Sequence, residues 1–155
     1  MLAYLDNSAT TRPFDRVVDA MAAAMHDGYF NPSSMYRPAI DVENQMKQLR
    51  RDILRNLPGA AGDVYFTSGG TEADNWTLRG VCEALKGKGK HVIITKIEHA
   101  AMLSTAKELE KDGFEFTCLS VDKEGFIDLD ELEKSIRKDT ILISCMYANN
   151  EIGTI

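Results

Sequence analysis

From residue 63 onward, short apolar runs alternate with segments whose apolar residues recur at helical spacing. The apolar runs are rich in Val, Ile and Phe, as buried strands are. Strands that alternate with helices in this way form right-handed βαβ units around a mostly parallel sheet. We therefore predict an α/β fold with flanking helices. The predicted strands are 63–67, 91–95, 114–119 and 140–146, and the predicted helices are 71–86, 100–112 and 128–138.

The first 60 residues carry a different pattern, in which two helices are separated by polar loops. Pro13 suits a helix start and Gly28 a helix end, with apolar residues at helical spacing between them. A second amphipathic helix is predicted over 38–57, and its apolar stripe serves packing. The pattern therefore divides the chain into a helical segment, 1–60, and an α/β domain, 61–155.

Size and composition exclude several classes of protein. The 155 residues suffice for one hydrophobic core, and the net charge of −6 argues against a nucleic-acid-binding surface. No apolar run approaches the length of a membrane span and no signal-peptide pattern is present, so a cytoplasmic location is expected. Cys82, Cys118 and Cys145 lie among apolar neighbours without C-x-x-C spacing, which predicts buried structural thiols rather than a metal site.

The segment 66–75 places a glycine pair between a predicted strand and a predicted helix. Ser68 and Thr71 are expected to cap the helix, and the exposed N–H groups of its first turn suit a phosphate. The same pattern is typical of a plain connection in α/β proteins. Glu72 and Asp74 also place negative charge where a phosphate would bind, and neither a Walker nor a G-x-G-x-x-G motif is present. Both interpretations stay open for this segment alone.

Three polar clusters follow the carboxyl ends of predicted strands. They are Ser68-Gly69-Gly70-Thr71, Glu98-His99 and Asn149-Asn150-Glu151. Ligands of open α/β sheets bind at this edge. The coincidence of three clusters on one edge predicts a ligand site there.

Individual residues of these clusters have more than one interpretation. His99 can stack on a flat ligand ring or carry a proton, and its position favours a place in the site; the other two histidines are predicted to be structural. Asn150 either belongs to a plain turn or directs its amide at a ligand oxygen. Asp6 and Glu98 can each act as acid or base, although the sequence shows no pairing between them.

Five motifs also occur along the chain in a fixed order. They are Tyr4-Leu5-Asp6-Asn7-Ser8-Ala9-Thr10-Thr11, Asn31-Pro32-Ser33-Ser34, Phe66-Thr67-Ser68-Gly69-Gly70-Thr71-Glu72-Ala73-Asp74-Asn75, Glu98-His99 and Ala148-Asn149-Asn150-Glu151-Ile152-Gly153. The ordered set resembles the amino-terminal part of a cysteine desulfurase, in the class V aminotransferase-like group of pyridoxal-phosphate enzymes. The resemblance spans essentially all 155 residues, and it is closest to the branch that serves iron–sulfur assembly and tRNA thiolation.

The resemblance implies a partial large domain of a pyridoxal-phosphate-dependent transferase over 61–155. Gly70 and Thr71 match the positions whose backbone and hydroxyl hold the cofactor phosphate. His99 matches the histidine that stacks on the pyridine ring and is proposed to help with proton transfer. Asn150 matches the asparagine that contacts the ring hydroxyl oxygen.

The resemblance also implies that residues of the first 60 lie near the substrate entrance. They are Asn7, Ser8, Ala9, Asn31 and Ser33. Alanine is common in the family at the positions of Ser8 and Gly70, and both replacements are small.

In the family, the Schiff-base lysine, the aspartate paired with the pyridinium nitrogen and the persulfide-carrying cysteine lie further along the chain than Ile155. The small carboxyl-terminal domain follows them. None of the three cysteines matches the sulfur-accepting position. We therefore expect a truncated chain without desulfurase activity of its own. Its parent is expected to convert L-cysteine to L-alanine and an enzyme persulfide.

The parent is also expected to be a homodimer that delivers sulfur to acceptor scaffold proteins, without direct contact to nucleic acid or membrane. Two alternatives remain. One is a selenocysteine lyase or another class V enzyme. The other is a non-catalytic α/β subunit that completes a site with a second chain.

Overall fold

The computed structural model describes residues 3–57, 59 and 61–155. The chain separates into two compact units, Met1–Phe66 and Thr67–Ile155, and each is described by itself. None of the helices within the described ranges combines the length and the apolarity needed to cross a membrane.

The amino-terminal unit contains two helices, α1 (Asp15–Asp27) and α2 (Arg37–Arg55). Both predicted helices are confirmed. Pro38 lies in the first turn of α2, where its missing N–H needs no partner. Among the described helical residues of this unit only Ala39 is buried. Small and apolar side chains line a cavity of about 620 Å³ in this unit; they include Ala20, Ala24, Val42 and Met46.

The second unit contains a three-stranded parallel sheet with the order β2-β1-β3. Its strands are β1 (His91–Thr95), β2 (Glu115–Leu119) and β3 (Thr140–Ile143). Its helices are α3 (Gly70–Leu85), α4 (Ala100–Lys111) and α5 (Leu129–Ser135). All five residues of β1 are buried, as a central strand requires. The predicted α/β class and the predicted strand 91–95 are confirmed.

The core of this unit forms where α3 and α4 pack together beside the sheet. Its buried members are Leu78, Cys82, Val92, Ile94, Met102, Ala106, Leu109 and Phe114. Each large aliphatic side chain buried here contributes roughly 1.5–3 kcal/mol to folding. This packing holds α3 against α4.

His91 joins all three strands through its imidazole ring. The side chain is buried, its Nδ1 lies 2.7 Å from the hydroxyl of Thr140 on β3, and its Nε2 lies 2.8 Å from the hydroxyl of Thr117 on β2. Both ring nitrogens are therefore used inside the sheet. The predicted structural role of this histidine agrees with that arrangement.

Three predicted elements differ from the structure. The predicted strand 63–67 is wrong: the segment has no ladder partner among the described residues, and an unpaired segment is not a strand. β3 ends at Ile143 rather than at residue 146, because the carboxylate of Glu98 takes the Met146 N–H, 2.9 Å away. α5 ends at Ser135 rather than at residue 138, because Ile136 is extended.

The prediction of three buried thiols is correct for one cysteine. Cys82 is buried in the core, but Cys118 and Cys145 are exposed. Cys118 lies on β2, an edge strand of the described sheet, and Cys145 follows the end of β3. An apolar sequence neighbourhood therefore did not determine which side of an edge strand faces the core.

Candidate functional site

The amino end of α3 presents free backbone donors. Gly69 precedes the helix without a side-chain cap, and the first N–H bonded within the helix is that of Ala73, 3.1 Å from the Gly69 carbonyl oxygen. The N–H groups of Gly70, Thr71 and Glu72 have no hydrogen-bond partner among the described residues. An added Cβ on Gly70 would meet no atom within 4 Å, so this turn is open.

The expected capping by the Ser68 and Thr71 hydroxyls is wrong. The Glu72 carboxylate instead turns back and accepts hydrogen bonds from the Ser68 hydroxyl and the Ser68 N–H, each at 2.6 Å. These donors, the hydroxyl first, lower the pKa of Glu72. One of the two negative charges that weighed against phosphate binding, that of Glu72, is therefore hydrogen-bonded to Ser68.

His99 is the N-cap of α4. Its Nδ1 accepts a hydrogen bond from the Ala101 N–H at 3.1 Å, and the ring is exposed. An acceptor nitrogen carries no proton, so the neutral ring holds its proton on Nε2. Nε2 has no hydrogen-bond partner in the described part of the chain. His99 therefore offers a ligand one oriented ring face and one available nitrogen.

Thr71 and His99 line the same groove, which we call the α3–α4 groove, with a volume of about 400 Å³. Its other polar lining residues are Asn75, Arg79, Ser104, Thr105 and Glu108. The Thr105 hydroxyl donates to Asn75 Oδ1 at 2.6 Å, and Asn75 Nδ2 donates to the Thr71 carbonyl oxygen at 2.9 Å. This chain of bonds ties the first turn of α3 to α4.

The segment that leads to His99 is joined to the turn after β3. Glu98 is buried, and its Oε1 accepts from the Thr95 hydroxyl and from the Met146 N–H, each at 2.9 Å. Asn149 is buried as well, and its Nδ2 donates to the Ile97 carbonyl oxygen at 3.0 Å. The sequence assigned neither residue this role, because the bonds cross about fifty positions of the chain.

Asn150 is exposed and makes no hydrogen bond to the described residues, so its amide is available. It follows Asn149, whose Oδ1 accepts from the N–H groups of Glu151 and Ile152 and thereby holds the turn. Asn150 is not among the residues that line the α3–α4 groove. Asn149 thus has the structural role in the turn, and the ligand interpretation applies to the neighbouring Asn150.

The remaining predicted residues belong to the amino-terminal unit. Asn7, Ser8 and Ala9 lie in an exposed turn, in which the Ala9 N–H donates to the Asp6 carbonyl oxygen at 3.2 Å. In a second turn the Ser33 N–H donates to Asn31 Oδ1 at 2.9 Å, and both residues are exposed. Their role at a substrate entrance stays a prediction.

Comparisons with known proteins show the family of the chain. The sequence profile of the family described as Aminotransferase class-V matches residues 3–155. The cysteine desulfurase IscS of Methanosarcina thermophila is 49% identical over 152 residues, which are 98% of this chain and 38% of that protein. The chain thus spans about two-fifths of the length of this curated relative.

Two solved structures resemble the whole fold. A NifS-like protein superposes with a TM-score of 0.94 at 40% identity, over 100% of this chain and 43% of that one. A structure titled SspA in complex with cysteine superposes with a TM-score of 0.85 at 32% identity, over 96% of this chain and 43% of that one. The chain therefore belongs to the class-V aminotransferase family of pyridoxal-phosphate enzymes, in which its similar relatives are named cysteine desulfurases.

Proposed function

We propose that these residues form the amino-terminal part of a cysteine desulfurase that converts L-cysteine to L-alanine and passes the sulfur to an enzyme persulfide. The persulfide sulfur then serves iron–sulfur cluster assembly or tRNA thiolation. The observation that carries the proposal is the shared groove of Thr71 and His99 beside the free N–H groups of α3. The 49% identity to a cysteine desulfurase and the structural similarity to a protein in complex with cysteine support it.

The residues present fit pyridoxal phosphate. The N–H groups of Gly70 and Thr71, with the Thr71 hydroxyl, would hold the phosphate, which the positive end of the α3 dipole also favours. The His99 ring would stack on the pyridine ring, and the available Asn150 amide would bind the ring hydroxyl oxygen. When bound, the cofactor supplies the electron sink that the reaction at the substrate's Cα requires.

His99 would carry the proton transfer through a single atom. With Nδ1 accepting the Ala101 N–H, the neutral ring carries its proton on Nε2, and exchange of a proton at Nε2 would require a proton on Nδ1 and therefore release of the N-cap bond. The N-cap bond also fixes the plane of the ring relative to α4. Proton transfer by His99 would therefore be coupled to release of its N-cap hydrogen bond.

The 155-residue chain alone is proposed to be inactive. In the proposal, residues 61–155 supply part of the cofactor-binding large domain, and residues 1–60 supply entrance loops. Burial raises the pKa of the Cys82 thiol. The pKa of the Cys145 thiol is raised by its partial burial and then by the Glu98 carboxylate. Both thiols therefore stay protonated and are poor nucleophiles. Homodimerisation and delivery to sulfur-acceptor proteins are parts of the same proposal.

The first test measures cofactor retention. The purified chain is mixed with pyridoxal phosphate and desalted, and the visible absorbance of the protein fraction is read. We expect retention that Thr71→Ala abolishes and Thr77→Ala preserves, because Thr77 is exposed on the same helix away from the groove lining. Equal retention by both variants would contradict the proposed phosphate site.

A further inference from the structure

Two segments of the proposed site, 96–99 and 146–152, are held together by two buried side chains. Glu98 reaches from the first segment to the Met146 N–H, and Asn149 reaches back from the second to the Ile97 carbonyl oxygen. The first segment presents His99 and the second presents Asn150. The bonds are therefore made by the immediate sequence neighbours of both proposed ligand-binding residues.

Glu98 is the centre of this connection. Its side chain is buried, and a single oxygen, Oε1, accepts both the Thr95 hydroxyl and the Met146 N–H. The first bond fixes the carboxylate against the last residue of β1. The second binds the chain after the end of β3, ahead of the turn that carries Asn150. A buried carboxylate is costly unless it is well satisfied, so an ordinary turn does not require one.

We propose that Glu98 is a positioning residue of the proposed site: it sets the separation between His99 and Asn150 by accepting both hydrogen bonds. The inference rests on the proposed function. Glu98 touches no ligand in this scheme and acts through its neighbours. Because Oε1 makes both bonds, the acceptor oxygen is required and the negative charge is not.

Glutamine tests this distinction, since its amide oxygen can accept the same two hydrogen bonds without a charge. Glu98→Gln should therefore keep the two hydrogen bonds that Glu98→Ala removes. Two controls accompany them. Glu110→Ala changes an exposed glutamate of α4. Leu109→Ala destabilises the buried core away from the sheet edge and serves as the stability control.

The experiment uses the full-length protein that contains this segment, loaded with pyridoxal phosphate. The circular dichroism of the bound cofactor in the visible range reports its orientation, and hydrogen exchange of the Met146 amide reports the Glu98 bond without cofactor. For Glu98→Ala we expect faster Met146 exchange, loss of most of the cofactor dichroism and roughly tenfold weaker cofactor binding. Glu98→Gln and both controls should retain the dichroism of the original protein.

Each outcome has one meaning. If Glu98→Ala keeps the cofactor dichroism and affinity, or if Leu109→Ala loses them equally, Glu98 is not a positioning residue. The same conclusion holds if Glu98→Gln behaves like Glu98→Ala, since the charge would then be the required property. If the unchanged protein binds no pyridoxal phosphate at all, the proposed function fails, whereas the Met146 exchange still reports the hydrogen bond.

Discussion

His91 and His99 lie eight positions apart, the first at the start of β1 and the second at the N-cap of α4, and their rings have different environments. His91 is buried with both ring nitrogens bound to threonine hydroxyls of the flanking strands. His99 is exposed, with one nitrogen bound to the backbone and the other available. The fold therefore occupies both ring nitrogens of His91 but only one of His99.

The charges around the two rings follow the same division. Burial lowers the pKa of His91, and the Arg137 guanidinium lowers it further, against the opposing carboxylates of Asp139 and Glu115. Arg137 is itself bound to both carboxylates, at 2.6 Å and 2.5 Å. The amino end of the sheet thus keeps its histidine neutral, whereas the carboxyl end leaves one imidazole nitrogen to the solvent.

The largest expected effect concerns His99. In the full-length protein, His99→Ala and His99→Asn should both lower kcat for L-cysteine by about 10²–10⁴-fold, since each removes the proton-carrying ring. Asparagine retains an acceptor for the Ala101 N–H, so only the alanine variant should also lose about 1 kcal/mol of stability. Steady-state kinetics and urea unfolding measure the two effects. Activity retained by His99→Asn would assign His99 to capping alone.

The next effect concerns His91. Replacement by alanine removes two hydrogen bonds and leaves a cavity between strands, so His91→Ala should lower the free energy of unfolding by roughly 2–5 kcal/mol. His26→Ala is the matched control, because His26 is exposed, and its effect should stay within about 0.5 kcal/mol. Urea unfolding at neutral pH measures both. Equal effects of the two variants would remove the distinction between the two histidine environments.

The smallest effect is a dependence on pH. The pKa of His91 is 6.5 in the reference state and lower in the fold. Above pH 6.5 the His91 ring is neutral in both the folded and the unfolded state, so it adds no pH dependence to the free energy of unfolding. Below pH 6.5 the unfolded chain binds the proton first. The free energy of unfolding therefore decreases as the pH is lowered, by at most about 1.4 kcal/mol per pH unit, until the pH reaches the pKa of the folded state. Unfolding at about pH 7 and 5.5 should show this loss, and His91→Gln should reduce it; an undiminished loss would assign it to other groups.

Much of the fold follows from local pattern, and the exceptions have a common cause. The bounds of β1 are those that the apolar run 91–95 predicts, because a buried central strand is apolar throughout. The end of β3 was mispredicted because Glu98, a residue 48 positions earlier, decides it. The segment 63–67 has the composition of a strand without a partner in the described sheet. Pairing is not a local property, so composition alone could not supply it.

The site shows the same limit. The sequence pattern left two interpretations open for Gly70 and Thr71, and the family resemblance assigned them, with His99, to the proposed cofactor site. The bracing residues Glu98 and Asn149 were not assigned their roles, since each makes its decisive bond to a distant backbone group. The residues proposed to bind the ligand were assigned from motifs, whereas the roles of the residues that position them come from contacts in the fold.

The bond between Glu98 and the Met146 N–H also sets an order of events on the ribosome. At roughly 5–20 residues per second, a nascent chain contains Glu98 for about 2–10 s before Met146 is made, because 48 positions separate them. β1 is made before that interval begins, and α4 and β2 are made in the course of it. The carboxylate stays hydrated until the turn after β3 arrives, so the edge that presents His99 and Asn150 closes after its scaffold has been made.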